Sequence, residues 1–204
     1  MTIFLLSMMD NLVPELSDML RQEMEKRGNR VAYISSSPQT GDKPYYMSTM
    51  RDYQAISLAT SVDYFDLGET FSDDDIAKLR EYNIIYLSGG NTFIFLESAR
   101  KRGLKSILDD VLTRGGLLIG ASAGAIMCTS SIEIACSVDE NVVGMTDFTA
   151  FGYVDGAFYP HANNSLQENN VIREYKDTYG KEVLVCKDGE GYFIKNGSKY
   201  FYSF

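Results

Sequence analysis

Histidine is nearly absent from this sequence, since only one of its 204 residues, His161, is a histidine. Any reaction that uses an imidazole as its base must therefore use His161. Cysteine is also scarce, because the chain contains only Cys128, Cys136 and Cys186. Their odd number and the lack of a C-x-x-C pair argue against a disulfide scaffold and against a structural zinc site. We expect reduced cysteines, no metal and no other cofactor.

Basic residues are too few to balance the acidic ones. The chain has 19 Lys and Arg against 28 Asp and Glu, so its formal net charge is −9 at pH 7. A surface of this charge repels a phosphate backbone. The composition therefore argues against nucleic acid as a partner.

Long apolar runs are missing as well. No segment reaches the roughly 18 consecutive apolar residues that a membrane-spanning helix requires. The apolar segment "MTIFLLSMMD" has no basic start and is interrupted at Asp10, so it does not resemble a secretion signal. We expect a cytoplasmic protein without a membrane partner. The lack of repeats and linkers predicts a single domain over residues 1–204.

Apolar runs of strand length alternate with segments of helical periodicity. The runs are "TIFLLS" (2–7), "RVAYISS" (30–36), "DYFDL" (63–67), "NIIYLSGG" (83–90) and "GGLLIGAS" (115–122), with helical segments that include 12–28 and 73–82. This alternation predicts an α/β fold with helices on both faces of a mainly parallel sheet. Short β-like pieces follow, including 131–138 and 141–145, and Asn196-Gly197 between two aromatic runs predicts a C-terminal β-hairpin.

The segment "GGLLIGASAGAIM" (115–127) carries one hydroxyl between small residues. Gly120-Ala121-Ser122-Ala123-Gly124 fits G-x-S-x-G, in which a serine nucleophile occupies a strained turn between a strand and a helix. Tiny neighbours are needed there so that the backbones can pass each other. The alternative is that Ser122 only caps the helix that follows. The apolar strand before the motif and the helix start after it favour the nucleophile.

A second glycine turn lies at the end of another apolar strand, in "YLSGGNTFIFLE" (86–97). Gly89 and Gly90 allow a ligand to approach the backbone, and Asn91-Thr92 suits the start of a helix. The carboxyl ends of parallel strands share one edge of the sheet, where ligands bind. The backbone N–H groups of Gly90 and Ala123 would then form an oxyanion hole. Alone, this turn is better explained as structural.

A serine nucleophile needs a base, and His161 in "YPHANNS" (159–165) is the sole histidine. The acid that orients this base is less clear. The candidates after the serine are Glu133, Asp139, Glu140, Asp155, Asp188 and Glu190. Asp188 ranks first, because it lies where a strand turns at Gly189, and Glu190 ranks second. The spacing of these residues leaves the choice open.

Together, "LSGGNTFIFLE", "GGLLIGASAGAIM", "YPHANNS" and "KDGEGYFIKNG" resemble the dipeptidase E and cyanophycinase family of serine peptidases. The resemblance implies a flavodoxin-like, three-layer fold related to class I glutamine amidotransferases. It makes Ser122 the nucleophile, His161 the base, and Gly90 and Ala123 the oxyanion hole. It leaves the acid open between Asp188 and Asp139.

The resemblance also implies a substrate class, because dipeptidase E removes an N-terminal aspartate from short peptides. In that family a basic residue precedes an "I-R-E" helix segment and suits an acidic substrate. The corresponding stretch here, "LQENNVIREY" (166–175), has Glu168 near that place. A carboxylate there would repel aspartate, so Arg173 or Arg51 would have to replace the basic residue. The substrate-binding candidates are Asn91, Thr92, Glu168 and Arg173.

The function predicted from these residues is hydrolysis of short peptides, including dipeptides, by a serine peptidase that is a monomer or a homodimer. The alternatives are a cyanophycinase-like enzyme, an esterase and a binding protein that keeps the fold without turnover. The region 35–50 is expected to form a loop that borders the active site, because it follows a strand end.

Overall fold

The computed structural model describes residues 1–38, 41–56, 61–68 and 70–204. The first half of the chain alternates strands and helices as the periodicity predicts. Its elements are β1 (Thr2–Leu6), α1 (Pro14–Glu25), β2 (Arg30–Ser35), α2 (Pro44–Ile56), β3 (Ser61–Asp66), α3 (Asp73–Leu79), β4 (Ile84–Leu87), α4 (Thr92–Lys101) and α5 (Leu104–Thr113).

The second half begins with the strand and helix that flank Ser122. Its elements are β5 (Leu117–Ala121), α6 (Ala123–Met127), a 3-10 helix (Glu133–Ser137), β6 (Ala157–Tyr159), α7 (Leu166–Tyr179), β7 (Val183–Val185), β8 (Gly191–Lys195) and β9 (Ser198–Tyr202). Within the described ranges, no helix combines the length and the apolar character that crossing a membrane demands.

The central sheet has seven strands in the order β3-β2-β4-β5-β1-β8-β9. The first five are parallel, whereas β8 pairs antiparallel with both β1 and β9. β6 and β7 form a separate two-stranded parallel pair. The predicted α/β fold, with a mainly parallel sheet and a C-terminal hairpin, is thus confirmed.

The sheet is buried on both faces, which explains the continuous apolar runs of its strands. In β1, Ile3 and Leu5 belong to one core cluster, and Phe4 and Leu6 belong to the other. Side chains alternate between the two faces of a strand, so the chain builds two hydrophobic cores with the sheet between them. Helices α1 and α2 cover one face, and α4, α5 and α6 cover the other.

The C-terminal hairpin turns at Asn196 and Gly197, which both have positive φ, 50° and 86°. Such a pair is typical of a two-residue turn whose twist matches that of the strands. The turn brings Lys195 opposite Ser198. The hairpin predicted from Asn-Gly therefore forms at the expected residues.

Two of the short β-like pieces are not strands. Residues 133–137 of the segment 131–138 form a 3-10 helix, and none of residues 141–145 is in a strand. Local bonds explain the helix, because the N–H of Ala135 donates to Ile132 and that of Val138 donates to Ala135. A short apolar run cannot distinguish a buried helical turn from a strand by periodicity alone.

The region 35–50 also differs from the expected loop. Its second part, from Pro44, begins helix α2, and residues 39–40 lie outside the described part of the chain. The proline suits the first turn of a helix, where its missing N–H is not needed.

A buried carboxylate, Glu23, ties α1 to β8 and makes stability depend on pH. Its side chain is 2% exposed and accepts hydrogen bonds from Lys26, Arg27 and Lys195. Burial acts to raise the pKa of Glu23, but these bonds outweigh it and lower the pKa from 4.5 to about 2. The stabilisation is complete above the ordinary pKa and is lost as the pH falls toward 2.

We expect Glu23→Gln to lower the free energy of unfolding by about 2–4 kcal/mol at pH 6. Denaturant unfolding at pH 6 and at pH 2.5 measures the effect, and the gap between the two proteins should narrow at the lower pH. An equal difference in the free energy of unfolding between the two proteins at both pH values would contradict the ion cluster assigned to Glu23.

Candidate active site

Ser122 sits between β5 and α6 in a strained backbone conformation, with φ 51° and ψ −115°. The glycines two residues away on each side make this turn possible. A Cβ on Gly120 would lie 2.6 Å from the Gly124 carbonyl oxygen, and one on Gly124 would collide with the Leu87 carbonyl. The small residues of G-x-S-x-G are thus required by close backbone packing.

The hydroxyl of Ser122 makes no capping hydrogen bond to α6, although Ser122 occupies the N-cap position. It lies instead 2.9 Å from Nε2 of His161. The backbone N–H of Ser122 donates to the Leu6 carbonyl at the end of β1. The helix-cap interpretation therefore does not describe this side chain.

The strain at Ser122 has a measurable cost. A non-glycine residue held in such a conformation costs on the order of 1–3 kcal/mol. Ser122→Gly and Ser122→Ala both remove the hydroxyl, but only glycine relieves the strain at φ 51°. We expect the free energy of unfolding of Ser122→Gly to be about 1 kcal/mol higher than that of Ser122→Ala, so that the glycine variant is the more stable one. Equal stabilities in parallel denaturant titrations would contradict a strained turn.

His161 links Ser122 to a carboxylate. Its Nδ1 lies 2.7 Å from Oδ1 of Asp188, on the side of the ring opposite Ser122. Burial acts to raise the pKa of Asp188, but hydrogen bonds from Ser7 and His161 outweigh it, and the pKa lies below its ordinary value. Asp188 is thus poised to stay ionised next to the imidazole.

Ser7, which sequence reasoning missed, completes this arrangement. It is fully buried directly after β1. Its hydroxyl donates to Oδ1 of Asp188 at 2.7 Å and accepts the backbone N–H of His161 at 2.8 Å. One hydroxyl therefore fixes both the acid and the loop that carries the base. The available signal was its position at the end of the apolar run 2–7, at the sheet edge that also holds Ser122.

The second glycine turn lies against Ser122. A Cβ on Gly89 would be 3.4 Å from Cβ of Ser122, and one on Gly90 would collide with the Ser36 hydroxyl. Gly90 has φ 130°, a conformation that favours glycine. In the described part of the chain, the N–H groups of Gly90 and Ala123 donate to no acceptor. Both donors remain available beside the serine.

A cavity of about 690 Å³ opens over this sheet edge. Ser122 and His161 line it together with residues that follow β1, β2 and β4 and with one side of α2. Because four parallel strands end here, the cavity occupies the usual ligand position of an open α/β sheet.

The model of peptidase family S51 matches residues 3–200. The chain belongs to peptidase family S51. Among its relatives, the uncharacterized peptidase Lmo0363 of Listeria monocytogenes is 27% identical over 196 residues, which are 95% of this chain and 94% of that protein. Peptidase E of Escherichia coli is 35% identical over 112 residues, which are 55% of this chain and 48% of that protein.

Two solved structures share the fold of this S51 chain. A Listeria monocytogenes EGD-e protein provisionally assigned to peptidase E has a TM-score of 0.80 and 25% identity, with 100% of this chain and 98% of that chain covered. A peptidase from an acI-B1 Actinobacterium shares the fold, with a TM-score of 0.65 and 13% identity over 95% of this chain and 83% of that chain. The resemblance seen in the motifs is thus confirmed.

In this S51 peptidase the other candidate acids have structural partners. Glu190 accepts the backbone N–H of Lys187 at 2.8 Å within the turn that holds Asp188. Asp139 accepts both the N–H and the hydroxyl of Thr92, at 2.9 and 2.6 Å, at the start of α4. Asp188 alone of these three contacts His161 in the described part of the chain.

The substrate-binding candidates of the S51 chain lie in different places. Asn91 lines the cavity and caps α4, whereas Thr92 is fully buried under Asp139. Glu168 is also buried, and it accepts the N–H of Asn163 at 2.8 Å, which orders the loop after His161. Arg173 is exposed and donates to Asn170. Neither Glu168 nor Arg173 is among the described residues that line the cavity, and Arg51 is not among them either.

Within the described ranges, no three His, Cys, Asp or Glu side chains are grouped to hold a metal ion. All three cysteines are free, and Cys128 and Cys186 are buried. Burial raises the pKa of both thiols well above the ordinary value, so neither is a good nucleophile.

Proposed function

We propose that the chain is a serine peptidase that hydrolyses short peptides, with Ser122 as nucleophile, His161 as base and Asp188 as orienting acid. The observation that carries the proposal is the line of two hydrogen bonds, 2.9 Å from Ser122 to His161 and 2.7 Å from His161 to Asp188. Nucleophile, base and orienting group in this order are the arrangement that activates a serine. Membership of a peptidase family supports the same reaction class.

In the proposed reaction, the Ser122 hydroxyl attacks the carbonyl carbon of the peptide bond, and Nε2 of His161 accepts its proton. The carbonyl oxygen becomes an anion, which the N–H groups of Gly90 and Ala123 stabilise. The intermediate then collapses, the C–N bond breaks, and His161 returns the proton to the leaving amine. Water repeats the sequence on the acyl-serine and releases the acid, which restores the free hydroxyl.

Asp188 acts through His161 in this scheme. Its hydrogen bond holds the proton of the neutral imidazole on Nδ1, which leaves Nε2 free to accept from serine. The Ser7 hydroxyl supports both partners, because it donates to Asp188 and accepts from the backbone of His161. The cavity of about 690 Å³ suits a substrate of dipeptide to small-peptide size.

A fluorophosphonate probe tests this proposal without knowledge of the substrate. We expect covalent labelling of the wild-type protein at Ser122, detected by mass spectrometry of the peptide, and loss of labelling in His161→Ala. A wild-type protein that is folded but unlabelled would instead favour a binding protein without turnover. Hydrolysis of p-nitrophenyl esters without detectable cleavage of any dipeptide would favour an esterase.

A further inference from the structure

The cavity over Ser122 contains two carboxylates that the proposed reaction does not use. Asp10 lies in the segment after β1, and Asp52 lies on α2, and both line the cavity with Ser122 and His161. Burial raises the pKa of Asp52 above its ordinary value, the charge of Asp10 adds to this effect, and Arg51 opposes it. The negative charges of Asp10 and Asp52 therefore lie close enough to repel each other.

Neither carboxylate forms an ion pair with a described lysine or arginine. The one side-chain hydrogen bond to them in the described part of the chain comes from Asn11 to Asp10 at 3.2 Å. The described lining of the cavity includes no lysine and no arginine. Uncompensated charge in a partly desolvated site is unfavourable, and a ligand cation would offset it.

A buried phenol lies next to the cavity wall that includes Asp52. The hydroxyl of Tyr53, the residue after Asp52, is fully buried and has no hydrogen-bond partner among the described residues. The ring packs edge-on against Tyr86, which lines the cavity, with the ring centroids 5.7 Å apart. Tyr53 is not among the described residues that line the cavity, so its hydroxyl lies behind the wall to which Asp52 and Tyr86 contribute.

We propose that Asp10 and Asp52 bind a positively charged group of the peptide substrate, so that the cavity selects cationic over acidic residues. The proposal rests on the serine peptidase function and names its substrate class. Asp10 follows Ser7 by three residues, so their Cα atoms are at most about 11 Å apart, and the Ser7 hydroxyl contacts His161. A lysine or arginine side chain next to the scissile bond would extend into the cavity that Asp10 and Asp52 line. Aspartate in the same place would be repelled.

Dipeptide kinetics test the proposal. We expect the wild-type kcat/KM for Lys-Ala to exceed that for Met-Ala, because the methionine side chain is similar in length to that of lysine but is neutral. Asp-Ala should have the lowest kcat/KM of the three dipeptides. In Asp10→Asn/Asp52→Asn, kcat/KM for Lys-Ala should fall by about 10-fold or more, since a charge-assisted hydrogen bond is lost at each residue. Met-Ala should change less than about 3-fold. Asp177→Asn, an exposed change on α7, is the matched control.

The same assay distinguishes whether the bound cation is the side chain or the α-ammonium group of the substrate. If Lys-Ala and Met-Ala are cleaved equally and both lose about 10-fold in the double variant, the bound cation is the α-ammonium group, and Nα-acetyl-Met-Ala should then be a poor substrate. Unchanged kinetics of all three dipeptides in the double variant would overturn the proposal, as would a wild-type preference for Asp-Ala. If the double variant fails to fold, the isosteric single change Asp52→Asn serves.

Binding measurements keep the test independent of turnover. In Ser122→Ala, calorimetry should detect tighter binding of Lys-Ala than of Asp-Ala, and the added Asp10→Asn and Asp52→Asn changes should remove the difference. Absence of this difference overturns the cation site, whether or not the wild-type protein is active. Loss of fluorophosphonate labelling together with retained selective binding would instead refute the serine mechanism and leave the cation site intact.

Discussion

Replacement of Ser122 by alanine is expected to lower kcat for dipeptide hydrolysis by roughly 10⁴- to 10⁶-fold, as loss of the nucleophile does in serine hydrolases with a comparable triad. The physical reason is that, among the described residues, only the Ser122 hydroxyl is hydrogen-bonded to Nε2 of His161. The neighbouring Ser7 is fully buried and is already bonded to Asp188 and His161. The residual rate would come from substrate binding and from the oxyanion donors.

Steady-state kinetics on purified protein measure the loss, with calorimetry to show that the peptide still binds. Ser106→Ala on the exposed side of α5 is the matched control and should retain activity within about 2-fold. A Ser122→Ala protein that cleaves a panel of dipeptides at the wild-type rate would refute the proposed mechanism.

Replacement of Asp188 by asparagine is expected to lower kcat by roughly 10³- to 10⁴-fold, although the side chain keeps its shape. The carboxylate accepts a hydrogen bond from Nδ1 of His161. An asparagine amide can donate to Nδ1 instead, which moves the ring proton to Nε2 and blocks acceptance of the Ser122 proton. The loss should therefore appear mainly in kcat and not in peptide binding.

The other candidate acids provide the comparison for Asp188. Asp155 is exposed and pairs with Lys181, so Asp155→Asn should keep activity within about 2-fold. Glu190→Gln and Asp139→Asn should lose far less than Asp188→Asn, because these carboxylates bond to Lys187 and Thr92 and not to His161. If either variant lost more kcat than Asp188→Asn, the role of orienting acid would pass to that residue.

Much of the fold could be predicted, because a strand that is buried on both faces has a continuous apolar sequence. All five predicted parallel strands form, and the Asn-Gly hairpin turns where expected. The segments 131–138 and 141–145 were wrongly interpreted, because short apolar runs satisfy either a strand or a helical turn. Their actual conformation depends on local hydrogen bonds and on contact with the core, which periodicity does not contain.

Residues of the candidate site could be predicted only where a local sequence pattern or a unique residue type identified them. Ser122 is predicted because the glycines around it reflect a local steric requirement, and His161 is predicted because the chain has no other histidine. The acid could not be chosen, since its proximity to His161 depends on the pairing of β8 with β1. Ser7, Asp10 and Asp52 were missed for the same reason. They come together through the arrangement of β1 and α2 around the cavity.

The chain order of the elements sets when the parts of the candidate site become available during synthesis. Chains emerge from the ribosome N-terminus first, at roughly 5–20 residues per second. Asp188 follows every parallel strand of the central sheet in the chain and immediately precedes β8. A nascent chain can thus hold Ser122 on its turn before the carboxylate next to His161 has been made. In that order, the contact between His161 and Asp188 forms only after all five parallel strands have been synthesised.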